Sequence, residues 1–168
     1  LYSTQLNTNT IFYLCNRLFL LNLASIYTTG FECPDTVNVI PELRFMLAQT
    51  KDLYAVYNQS FPANPLSDKY LKLFDATIQF VNKSSNNYSH FNHFEFIRDY
   101  VNPLFILNQQ FIINYSVFSS SNLDYALNKT ANSIFDKNLY NGQNTKGIFL
   151  RVNDETSLQL IHDLGKAM

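Results

Sequence analysis

The chain has no tryptophan, and its 168 residues include only four glycines, five prolines, two cysteines and three histidines. Each scarcity removes a class of explanation. So few glycines do not suit a glycine-rich phosphate loop, or a β-rich fold with many tight turns. The two cysteines, Cys15 and Cys33, supply no closely spaced ligand pairs for a metal. No C-x-x-C-H haem-attachment motif occurs. Charged residues make up 15% of the chain and sum to −1, which leaves no basic footprint for nucleic acid. No Ser–His–Asp or Cys–His nucleophile arrangement can be argued from His90, His93 and His162.

Apolar residues, by contrast, reach 46%, with aromatic character coming from Phe and Tyr. The length allows one domain with a real core. The chain opens on Leu1 and closes on "LGKAM" in mid-pattern, so it reads as part of a longer protein.

The N-terminal stretch "RLFLLNLASIYTTGF" (residues 17–31) places one cation, Arg17, before a short apolar run and a small-residue exit. This is the pattern of a secretory signal peptide, and residues 1–33 are expected to form a leader. The run is too short for a transmembrane helix. The competing reading is a core or amphipathic helix.

Beyond Pro34 the periodicity is helical. Leu43, Leu47, Tyr54, Tyr57 and Phe61 recur on one helix face, with Pro41 suited to its first turn. "FPANP" (residues 61–65) stops that helix. Ser67 is placed to cap the next, with Leu66 and Leu71 as a hydrophobic staple. Its face is Leu71, Phe74, Ile78 and Val81. A third helix carries Phe94, Ile97, Val101, Leu104 and Phe105, with Phe91 a turn earlier. Pro103 predicts a kink near residues 99–102. Ser121 opens an expected fourth helix with Leu123, Leu127, Ile134 and Phe135 inward, and Asp154 a last one with Leu158, Ile161 and Leu164. "IFLRV" (residues 148–152) is the only strand-like run. The expected fold is all-α, an up-and-down bundle of four to five amphipathic helices, with the bundle domain over residues 34–150.

Candidate chemistry concentrates in "HFNHFEFIRDYVNPLF" (residues 90–105). His90 and His93 share a helix face, but Glu95 points away from them, and a metal needs three or four groups. Arg98 and Asp99 are neighbours, which do not face each other on a helix. Arg98 is therefore expected to be buried and to reach Asp75 or Glu95 as an interhelical pair. The residues singled out are structural: Arg98, Asp99, Pro103 and Gly165. No catalytic, cofactor-binding or metal-binding residue is assigned.

Three segments carry a family resemblance: "FEFIRDYVNPLF" (94–105), "ALNKTANSIFDKNLYN" (126–141) and "HDLGKAM" (162–168). In this order and spacing, residues 40–168 resemble the N-terminal region of bacterial di-haem cytochrome c peroxidases of the methylamine-utilisation type. In that family a helical N-terminal region ends at an L-G-K segment, matched here by Leu164, Gly165 and Lys166. The resemblance implies that residues 151–168 begin a truncated first haem domain. It also implies a parent chain that uses haem c to reduce hydrogen peroxide with electrons from a small donor protein. The partners would be the downstream haem domains and that donor, with no nucleic acid and no transmembrane span. The location would be the periplasm or cell surface of a Gram-negative bacterium. The fragment itself would be non-catalytic and hold no cofactor. The alternative from another class is a stand-alone exported binding module of imelysin-like helical type, for iron or haem uptake. The imelysin motif G-x-H-x-x-E is absent, because Phe96 follows His93 by three.

Overall fold

The computed structural model describes residues 8–29, 35–117, 130–137 and 139. Four helices form its frame. They are α1 (Thr8–Ser25), α2 (Val39–Ser60), α3 (Asp68–Lys83) and α4. α4 is composite: an α-turn His93–Glu95, a π-helical segment Phe96–Val101 and an α-helical segment Asn102–Asn114. A 3₁₀ turn, Tyr88–His90, leads into it. Among the described residues the fold is all-α, as the periodicity predicts.

Contacts between helix ends fix the topology. Tyr13 near the start of α1 donates to Asn64 O, just past the end of α2, at 2.7 Å. Arg44 at the start of α2 reaches the last turn of α3. Tyr115 after α4 donates to Pro65 O before α3 at 2.9 Å. Tyr88 before α4 donates to Thr29 O after α1. Each helix therefore runs opposite to its neighbours, and the four close into an up-and-down bundle.

The helix punctuation follows local chemistry. Ser67 accepts from the Tyr70 amide at 3.2 Å and caps α3. Leu66 is buried and Leu71 packs on the core, completing the staple. Chain reversal after α4 is a Schellman motif: the Ser116 amide donates to Ile113 O and the Val117 amide to Ile112 O. Ser116 adopts φ of 50°, a conformation usually left to glycine.

The core contains the predicted Leu43, Leu47, Tyr54, Tyr57, Phe74, Val81, Val101, Leu104 and Phe105. It also contains Tyr13, Leu20 and Leu23 from α1. The stretch with leader character thus supplies one wall of the bundle, and Arg17 is itself buried.

Two expectations are corrected. Where Pro103 predicts a kink, the chain forms the π segment, whose wider turn takes in one extra residue. Inward positions before it move by one: Phe96 is fully buried, Ile97 only partly, and Phe94 is 64% exposed. The end of the expected fourth helix is also not helical. Ile134 and Phe135 lie in a turn, and Phe135 is exposed. Side chains capture the backbone there. Asn102 Oδ1 accepts from the Ile134 amide at 3.0 Å, and Ser133 Oγ accepts from the Phe135 amide at 3.0 Å. Such bonds compete with the helical ladder. Ser121, Leu123, Leu127, residues 148–168 and the predicted Asp154 helix lie outside the described residues.

Candidate functional site

Arg98 and Asp99 are not an interhelical pair. Both are exposed, and they bond to each other, with Arg98 Nε donating to Asp99 Oδ1 at 2.6 Å and Nη2 to Oδ2. The π turn brings neighbouring side chains closer in direction than an α-turn does. The guanidinium also covers the exposed Phe94 ring, 5.0 Å from its centroid. The Arg98 hydrogen bond holds the Asp99 carboxyl below the usual carboxylate range. Asp75, the other expected partner, pairs with Lys51 at 2.7 Å and ties α2 to α3 at the surface. Pro103 is the second residue of the last α4 segment, where its missing amide costs little. Gly165 lies outside the described residues.

The histidines stand at the entrance to α4. His93 packs edge-on against Tyr88 and Phe91. Asn92 and Glu95 form a reciprocal cap: the Glu95 amide donates to Asn92 Oδ1 at 3.1 Å, and Asn92 Nδ2 donates to Glu95 Oε2 at 2.8 Å. Glu95 is thereby committed to the helix start. Among the described residues no group of three or more His, Cys, Asp and Glu side chains converges.

A cleft of about 550 Å³ opens at the start of α2, between Thr36, Asn38 and Pro41 on one side and Asn86, Asn87 and Tyr88 on the other. Its polar groups are amides and hydroxyls, and several are already engaged. Asn86 accepts from Arg44, and Asn87 Oδ1 accepts from the Ser89 amide at 2.9 Å. This lining can orient a polar group, but it offers no carboxylate, imidazole or thiol for acid–base or nucleophilic work.

The densest polar constellation lies inside the bundle. Asn16 of α1 donates through Nδ2 to Tyr70 Oη at 2.9 Å and to Asn108 Oδ1 at 2.8 Å. Tyr54 donates to Asn16 Oδ1 at 2.5 Å, and the Tyr54 and Tyr70 hydroxyls lie 3.1 Å apart. Since Tyr54 spends its proton on Asn16, Tyr70 donates to Tyr54. The ring Asn16, Tyr70, Tyr54 is then closed, and each hydroxyl both gives and receives. Asn108 Nδ2 donates onward to Tyr13 O at 3.2 Å. One residue from each of the four helices meets here, all buried. Burial holds both hydroxyls protonated: it raises Tyr54 well above the ordinary tyrosine value and pushes Tyr70 up to about 12. Burial draws Arg17 down to about 10, which leaves it charged at neutral pH.

Sequence reasoning did not find this network. Its trace is visible in hindsight: Asn108 and Gln109 interrupt "PLFILNQQFII", and Asn16 interrupts the apolar run of α1. A polar residue among apolar neighbours marks a buried polar site, but its partners are tens of residues away. No protein-family model, curated protein or solved structure matches the chain.

Proposed function

We propose that the chain is a non-catalytic helical packing module, the N-terminal domain of an exported di-haem cytochrome c peroxidase. One structural observation supports a packing role. The bundle uses its buried Asn and Tyr groups to join its own helices, and it leaves apolar side chains exposed outside, including Phe45, Leu53 and Val56 on α2. A surface of that kind suits contact with further protein. The finer reading rests on the resemblance of residues 94–105, 126–141 and 162–168.

In that reading haem c, carried by domains beyond Met168, does the redox chemistry. The described residues supply no thiol pair to attach it and keep to binding and packing. The parent reduces hydrogen peroxide with electrons from a small donor protein, in the periplasm or at the cell surface.

The test is the gene and its product. Two C-x-x-C-H motifs downstream and a covalent haem signal on the full-length protein are expected. A stop codon soon after Met168 overturns the reading. Iron or haem binding by the 168-residue chain itself would favour the imelysin-like alternative instead. N-terminal sequencing of the exported protein decides whether residues 1–33 are removed as a leader or kept as the first helix.

A further inference from the structure

α1 is apolar almost all the way round. Its 18 residues hold one charge, Arg17, and that residue is buried. A helix of this kind is ordinarily covered on every side. No helix among the described residues is long and apolar enough to cross a membrane. Yet one side of α1 is open: Ile11 is 45% and Leu18 56% exposed, Cys15 is exposed, and Asn22 is half-buried. Their 4–3–4 spacing sets them in one straight stripe along the helix. Half-buried Phe12, Leu14, Phe19 and Leu21 flank it.

We infer that this stripe is the contact face of a symmetric dimer, in which α1 of one copy packs antiparallel on α1 of a second copy. Charge favours a second copy as the occupant. The stripe carries no charged side chain, so two copies meet without like-charge repulsion and without an ion to desolvate. The outer side of α2 is different. Its exposed Phe45, Leu53 and Val56 are interleaved with Glu42, Lys51 and Asp52, so that face asks for a partner with matching charges. Geometry agrees. Cys15 lies midway between Ile11 and Leu18, so a two-fold axis at Cys15 sets Ile11 of one copy over Leu18 of the other. The small thiols then meet at the centre, where the helices approach most closely. A seam of about 27 Å falls short of the roughly 1,200 Å² of a standard stable interface. The dimer is therefore weak, forming at tens to hundreds of micromolar.

The test is sedimentation velocity of the 168-residue chain from about 5 to 500 µM. The mean mass should rise toward that of a dimer across this range. Leu18→Glu and Ile11→Glu, both at exposed positions, should each weaken association at least tenfold. Val56→Glu on α2 should leave it unchanged, and circular dichroism should show all three variants folded. As a proximity readout, copper–phenanthroline in air should cross-link Cys15 to Cys15 in a Cys33→Ser background, the two thiols passing two electrons and two protons to dioxygen. The cross-link should vanish with Leu18→Glu. A monomeric mass at every concentration overturns the inference, as does a dimer indifferent to both stripe variants.

Discussion

Tyr54 keeps its hydroxyl inside the bundle because Asn16 accepts its proton and Tyr70 supplies another. Tyr54→Phe fills the same volume but strips Asn16 Oδ1 of its donor. A buried acceptor left unpaired costs about 1–3 kcal/mol, which urea titration followed by circular dichroism should register. The paired change Tyr54→Phe with Asn16→Leu removes both ends and should cost less than the two single losses added together. Tyr70 gives a pH dependence with a defined sign. Its pKa is about 12 in the folded chain and about 10 when unfolded. Between those values the unfolded chain binds fewer protons, so stability falls as pH rises. It is fully present below pH ~10 and lost as the pH climbs through ~12. Urea midpoints measured from pH 8 to 12 should show this decline. Arg98 shows where residue-level reading failed. Its charge and its neighbours were legible, but its exposure depends on a π turn that no periodicity announced.

Helix boundaries were the most legible part of the chain because they are set by nearby atoms. Ser67, Leu66 and Leu71 act within a turn of one another, and "FPANP" stops α2 through its own geometry. The extra residue in the π segment is different. It follows from how α4 must present Phe96, rather than Phe94, to the core. Ser116 offers a direct test of local backbone chemistry. It adopts the left-handed conformation at the Schellman turn, so Ser116→Gly should raise stability by about 1 kcal/mol. A higher urea midpoint with unchanged slope is the expected result. Arg44 tests the far end of α3. It donates to Val81 O at 3.1 Å, to Ser84 O and to Asn86, and so closes the carbonyl end of that helix. Arg44→Ala should speed amide exchange in residues 80–84 before it alters exchange in the rest of α3.

At the scale of the molecule, α1 decides whether the bundle closes. Tyr13, Leu20 and Leu23 are completely buried, worth roughly 1.5–3 kcal/mol each. Their sum is comparable to the whole stability of a domain, about 5–15 kcal/mol. A chain lacking residues 1–33 should keep helical far-ultraviolet dichroism and lose the near-ultraviolet tyrosine signal and a cooperative melt. A sharp melt with native tyrosine dichroism would show that the remaining helices close without it. The sequence carries the pattern of a leader and of a core helix in the same residues, since both are short apolar runs. Only the tertiary partners on α4 and α2 distinguish them, and those lie far along the chain.

That distance matters during synthesis. Asn16 and Asn108 are bonded across 92 positions, so α1 leaves the ribosome long before the helix it packs against exists. At about 5–20 residues per second, it waits roughly 5–20 s with its apolar sides open. For that interval the nascent chain displays a short greasy helix behind a single cation, which is the feature that ribosome-bound targeting factors and chaperones select. Whether α1 is intercepted or folds home is therefore set by a race between capture and elongation. Slowing translation downstream of α1 should lengthen the exposure and favour capture.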